Sequence, residues 1–302
     1  MVLLGMRARA ALFVVLVEGF GIAASTRDAR ASTARAVASP QPSATPVASA
    51  TPAPQSDPCG GPTRLLATLN RPTVGFSACA VPPGSIVLEE GYQNQAQAGA
   101  SPGIAASYPQ GFERFGVAQG FELDAIGPNF NRARSARALE TGTSDLGLGF
   151  KYELPQRGRF TYGVDGLFTA ASGSSAFTAG GPTQTLDVDV AYAASPAIGI
   201  GTTVAGTWQA GFGAAGNAGR FGALIPSAVV TAQIPNAYQF YAEIVSQTKL
   251  APDQGGHVFV DFGLQKLLGP NLEIDVEDGE SFTPVNGSRF HYLGIGTGIR
   301  LR

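Results

Sequence analysis

The sequence predicts an all-β chain: an antiparallel transmembrane β-barrel of about twelve strands behind a disordered N-terminal linker. Three observations carry this expectation. The first is composition. Only 14% of the 302 residues are charged, against about 25% in soluble domains, while 40 are Gly, 18 Phe and 8 Tyr. The second is a two-residue alternation of apolar and polar side chains that runs from Ile86 to the C-terminus. The third is that the connections between alternating stretches are short and long in turn. A mean hydropathy of +0.09 is too low for a bundle of membrane-spanning helices. A formal net charge of −2 lacks the basic stripe of a nucleic-acid binder. Two His and two Cys leave little for a transition-metal site, so neither a metal nor a cofactor is expected.

Residues 1–31 read as a signal peptide. Arg7 and Arg9 form a basic start, and Ala10–Val17 is an apolar run too short to span a bilayer. Ala29-Arg30-Ala31 fits a small-x-small cleavage site, with Ala23-Ala24-Ser25 as a second choice. The alternative is a single anchor helix, against which Glu18 interrupts the apolar run. Residues 32–58 form a linker, rich in Pro, Ala, Ser and Thr from Val37 onward, without the apolar residues needed to fold. Cys59 and Cys79 bracket a loop-rich pre-barrel segment, 59–84; in an exported chain they pair as a disulfide, with two buried thiols as the alternative. Cap and plug both remain open for this segment. The barrel occupies 85–302.

The clearest strand is Leu146–Leu154, where Leu146, Leu148, Phe150, Tyr152 and Leu154 share one face and Gly147, Gly149, Lys151 and Glu153 the other. The same alternation marks stretches beginning near Leu186, Ile198, Tyr238, Val258, Leu272 and Leu293. Weaker strands are Ile86–Asn94, Gly111–Val117, Gly120–Ile126, Arg159–Ala170 and Phe221–Ile234. Short turns are expected at 118–119, 155–158, 194–197, 235–237 and 268–270. Long loops are expected at 95–110, 127–144, 171–183, 210–220, 250–255 and 278–288. Such asymmetry suits an outer-membrane barrel with both termini on the short-turn, periplasmic side.

Alternation alone fits a soluble barrel with an apolar inside equally well. The membrane reading is favoured by the near absence of charge on the apolar face and by aromatics near strand ends, such as Tyr152, Tyr192, Trp208 and Tyr238. On that reading the polar faces line the lumen as a permeation path. They bring Glu89, Glu122, Asp124, Glu153, Asp165, Asp187, Asp189, Glu243, Asp261, Glu273, Asp275 and Glu277, with Arg114, Lys151 and Arg300 as the only bases on those faces. Either an acid-lined water channel that disfavours anions results, or the bases pair with acids in a filled interior.

Four segments carry a family resemblance: RFGVAQGFELD (Arg114–Asp124), SDLGLGFKYELP (Ser144–Pro155), FVDFGLQKLLGPNLEIDV (Phe259–Val276) and YLGIGTGIRLR (Tyr292–Arg302). In that order they resemble the outer-membrane transporter family associated with the MetA pathway of phenol degradation. The resemblance implies a β-barrel channel or transporter for small molecules, hydrophobic or aromatic ones among them, and supplies no catalytic residue. The implied location is the outer membrane. The implied partners are the lipid bilayer, a small solute and the outer-membrane barrel assembly machinery, with no nucleic acid. The alternative is a structural or adhesive barrel with a plugged lumen and partner-binding external loops.

Enzymatic motifs are weak, and no enzyme is expected. Gly211–Gly216 matches G-x-G-x-x-G, but the NAGRFGALIP stretch after it reads as loop and strand, whereas dinucleotide binding needs a helix there. His257 and His291 are isolated, and no G-x-S-x-G occurs; a Ser–His hydrolase using Ser246 or Ser288 is a remote third reading. Asp275, Glu277, Asp278 and Glu280 lack the spacing of a calcium loop.

Overall fold

The computed structural model describes residues 57–301, except 62, 101, 137, 214–216 and 285–286. The expected signal peptide, nearly all of the linker and the end of the G-x-G-x-x-G match lie outside the described residues. Among the described residues there are fifteen strands: β1 (Ile86–Gly99), β2 (Gly103–Tyr108), β3 (Phe112–Ala118), β4 (Phe121–Ile126), β5 (Phe130–Ser135), β6 (Leu139–Thr143), β7 (Leu146–Glu153), β8 (Phe160–Ala170), β9 (Thr183–Ala193), β10 (Ile198–Phe212), β11 (Ala218–Ile234), β12 (Tyr238–Ala251), β13 (Gln254–Leu267), β14 (Leu272–Ser281) and β15 (Ser288–Leu301). Among the described residues one short helix, α1 (Arg64–Thr68), precedes them. Among the described residues no helix is long and apolar enough to cross a membrane.

Twelve strands close the barrel. Neighbours in sequence pair antiparallel from β7 to β15, β7 pairs with β4, β4 with β3 and β3 with β1, and β15 returns to β1 over Ile86–Gly99. The remaining three strands are upward continuations of the wall. β2 continues β3, β5 continues β4 and β6 continues β7, because Gly103↔Ser135 and Phe112↔Ile126 belong to one register, as do Phe130↔Thr143 and Phe121↔Tyr152. The β2–β3 interruption contains the cis Tyr108–Pro109 peptide and Gln110 at φ 50°. Register against β1 steps by one residue across it, from Gln93↔Ser107 to Glu89↔Phe112.

This corrects the expected loops. Most of 95–110 and 127–144 is strand, and β12 and β13 meet in a tight turn at 252–253. At roughly 3.3 Å per residue and a tilt near 45°, each residue adds about 2.3 Å of height. β10 and β11, at 15 and 17 residues, therefore exceed the ten or so needed to cross a bilayer. The wall rises past the membrane where the sequence reading placed long loops. There the outward side chains no longer need to be apolar, so the alternation fades.

Outward positions carry the large apolar side chains: Leu148 is 63% exposed, Leu186 58% and Ile295 56%. A band of this kind is what a bilayer covers. Inward positions carry buried charge, with Glu89, Arg114, Glu122, Lys151, Asp189, Glu243 and Asp261 all at 0% exposure.

Candidate functional site

The inward charges are buried because residues 57–85 lie against them. The Cys59–Cys79 disulfide closes this segment into a loop. Leu65, Leu66, Leu69 and Val81 pack with Val87 of β1 and Leu267 of β13 in a small apolar core. Most other contacts are polar, and many use the segment's backbone. The N–H groups of Asn70 and Arg71 donate to Glu89 at 2.9 and 2.7 Å. Those of Val74 and Gly75 donate to Glu243 at 2.7 and 2.9 Å. Ala80 N–H donates to Glu153 at 2.7 Å, and Val81 N–H to Glu122. The wall acids thus grip a peptide main chain, and carboxylates held by amide donors make charge-assisted, strong hydrogen bonds.

Arg114 is the hub. Its Nε and Nη2 donate to Glu122 (2.9 and 2.7 Å) and its Nη1 to Glu89 (2.9 Å). The two remaining N–H groups reach the carbonyls of Thr68 and Cys79 in the inner segment. All five guanidinium donors are used, which no other side chain can reproduce. Lys151 pairs with Asp165 (3.3 Å), donates to Asn70 Oδ1 (3.1 Å) and to the Ser77 carbonyl, and lies over the Phe76 ring. Arg71 comes from the inner segment itself. It pairs with Asp275 (3.6 Å) and Glu277 (3.4 Å) and donates to Gln110 Oε1 at the β2–β3 interruption.

The remaining acids have fewer partners. Asp165 and Asp187 are cross-strand neighbours, and Asp189 accepts the Thr203 hydroxyl at 2.6 Å. Asp261 accepts Tyr292 Oη at 2.7 Å. Asp124 Oδ1, Asp187 Oδ1, Asp189 Oδ2, Asp261 Oδ1 and Glu273 Oε1 are buried with no protein hydrogen-bond donor. Arg300 stands apart at the short-turn rim, where it donates to Asn271 Oδ1 and the Pro270 carbonyl and pairs with no acid among the described residues.

Above this charged layer, toward the long-loop end, the inward face changes character. His257, Phe259, Phe290 and Tyr292 on β13 and β15 form an aromatic chain with ring centroids 5.3–6.2 Å apart. In the wall made by β1, β2, β5 and β6, Gln95, Gln97, Ala105, Ala133, Ser135 and Glu140 line a cavity of about 560 Å³.

Sequence reasoning missed Arg71, Asn70 and Tyr292. One signal was present. Gly91 and Gly296 leave the space that Arg71 fills, since a Cβ at either would lie within 2.4–2.8 Å of its guanidinium group. Inward glycines opposite polar strand positions mark the close approach of another chain segment.

No family model matches the chain, and no curated protein matches it. Solved structures do resemble it. An outer membrane channel from Pseudomonas putida F1 superposes with a TM-score of 0.59 at 12% identity, covering 74% of this chain and 97% of that one. The porin NanC superposes with a TM-score of 0.52 at 14% identity, covering 71% of this chain and 100% of that one. At such identities the likeness is one of fold: this chain has the closed antiparallel β-barrel found in outer-membrane channels.

Proposed function

We propose that the protein is an outer-membrane channel for small molecules, hydrophobic or aromatic ones among them, and that residues 57–85 form a plug on its short-turn side. The observation that carries this reading is how the plug is held. A permanent filling is most stable when apolar, because buried ions repay their desolvation poorly. Here the grip is largely polar, from backbone amides and Arg71 on wall carboxylates and from Arg114 and Lys151 on the plug's carbonyls, contacts that water can replace. The aromatic chain on the other side of the plug gives an apolar solute a surface to meet. The resemblance of four segments to the MetA-pathway family supports the same solute class. Export through residues 1–31 and insertion by the barrel assembly machinery belong to this reading.

A structural or adhesive barrel is the second reading, favoured by the filled interior. Planar-bilayer recordings and vesicle-swelling assays separate the two. The full chain should conduct weakly, and Arg71→Ala with Glu243→Gln, which loosen the plug, should conduct more. Cations should be preferred, because the wall acids outnumber the bases. Replacing Asp187, Asp189, Glu273 and Asp275 by their amides should lower that preference. If neither the full chain nor the loosened variant passes ions or solutes, the structural reading holds.

A further inference from the structure

A second cavity, also about 560 Å³, opens on the outside of the wall and not into the lumen. It lies between β9, β10 and β11, with Thr248 of β12 at its edge. Its floor exists because two outward positions lack side chains. Gly206 pairs with Leu186 and Leu224, and Gly222 pairs with Trp208. The Trp208 ring lies over Gly222, where a Cβ would come within 3.3 Å of it. Leu186, Leu224 and Trp208 stand around the notch at 50–58% exposure. The cavity is deepened where the ladder between β11 and β12 stops at Ser227↔Val245; above that point Leu224 N–H donates to the Thr248 hydroxyl.

Depth and charge say what fits. Trp208 is the tenth residue above Ile198, so it stands roughly 23 Å above the short-turn end of its strand, near the far edge of an apolar band about 25 Å tall. The notch at Gly206 therefore faces hydrocarbon. Two rows above it, Arg220 lies over the Trp208 ring, 5.7 Å from its centroid, and donates to the Pro182 carbonyl. Among the described residues no carboxylate pairs with Arg220. An apolar groove in the hydrocarbon zone, a tryptophan at the interface and an unneutralised guanidinium above it are the parts of one lipid site. We propose that one acyl chain of an anionic, phosphate-bearing membrane lipid lies in the notch of Gly206 and Gly222, with its headgroup at Arg220.

Trp208 is the only tryptophan in the chain, so its fluorescence reads the groove directly. The full-length protein is placed in phosphatidylcholine vesicles containing either phosphatidylglycerol or phosphatidylcholine brominated along its acyl chains. Half-maximal quenching should need about fivefold less of the brominated anionic lipid than of the zwitterionic one, the preference one basic residue near a surface supplies. Arg220→Gln should bring the two curves together. Gly206→Leu should remove the low-concentration quenching while leaving the barrel folded, as judged by its heat-sensitive gel mobility; a Cβ there meets nothing closer than 3.8 Å. Equal quenching by both lipids in the native protein, or unchanged quenching in a folded Gly206→Leu protein, overturns the proposal. So does weak quenching by either lipid together with cross-linking of Trp208 neighbours between two copies, which would make this face a homotypic interface.

Discussion

Replacing Arg114 tests whether the buried charge network holds the plug. Arg114→Leu leaves Glu89 and Glu122, both 0% exposed, without their cation, and leaves the Thr68 and Cys79 carbonyls without a donor. Breaking a buried ion pair on one side costs about 3–5 kcal/mol. Arg114→Lys keeps the charge but offers at most three donors to four acceptor atoms, so at least one buried acceptor goes unpaired, a loss of about 1–3 kcal/mol. The expected order of stability is therefore Arg, Lys, Leu. Urea titration in lipid vesicles measures the cost, and tryptic cleavage after Arg64, in α1, reports release of the plug. Adding Glu89→Gln and Glu122→Gln to Arg114→Leu should recover much of the loss, since the stranded charges disappear with their partner. The reasoning fails if Arg114→Leu stays within about 0.5 kcal/mol of the native protein with Arg64 still protected.

Two further outcomes are expected from the faces and from the external loops. Leu148→Arg, about 12 Å above the end of its strand and so near the midplane, should destabilise the barrel by about 2–4 kcal/mol. Ile274→Arg, only two residues into β14 and close to the interface, should cost about 0–1 kcal/mol, and Gln95→Arg, pointing into the inner cavity, about 0.5 kcal/mol or less; equal costs for all three in urea titrations would contradict the membrane placement. Burial alone would raise the carboxyl of Asp145, between β6 and β7, but amide donors from Ala179 and Gly173 of the 171–182 loop outweigh it and hold it below its ordinary value of 3.8. A depressed carboxylate adds stability that is complete above its unfolded value and is lost as pH falls through its folded one. Hydrogen exchange at Gly173 and Ala179 should therefore be slow near pH 7 and should lose protection below 3.8, whereas Asp145→Asn should show no such step.

The twelve-stranded barrel was legible because lipid on one side and polar contacts on the other force a strict period of two. LGLGFKYEL and LEIDVE declare their faces within one strand. Legibility ended where that contrast ended. QAQAG and FNRARS lie on stretches of wall that rise past the membrane, where small or polar residues suit both faces, so they read as loop. The inner segment was illegible for a different reason. Glu89, Glu243, Glu153 and Glu122 hold its main chain, and an amide donor leaves no mark in a sequence. Alternation alone assigned the acids to the inward faces. It did not point to Arg71, which precedes a proline in an otherwise unpatterned stretch.

The position of the plug bears on how such a barrel can be built. Residues 57–85 emerge from the ribosome before any strand, and the seam joins the first strand to the last. The plug touches both edges of that seam: Asn70 and Arg71 bond to Glu89 on β1, while Leu69 and Arg71 occupy the space left by Gly298 and Gly296 on β15. A chain laid out in this order never has to thread a finished ring. The last strand arrives at a surface already shaped by the first segment made, and register at the closing seam is read partly from that guest. Side chains added at Gly296 or Gly298 would then strike at the final step of assembly, leaving the strands paired and the ring unclosed.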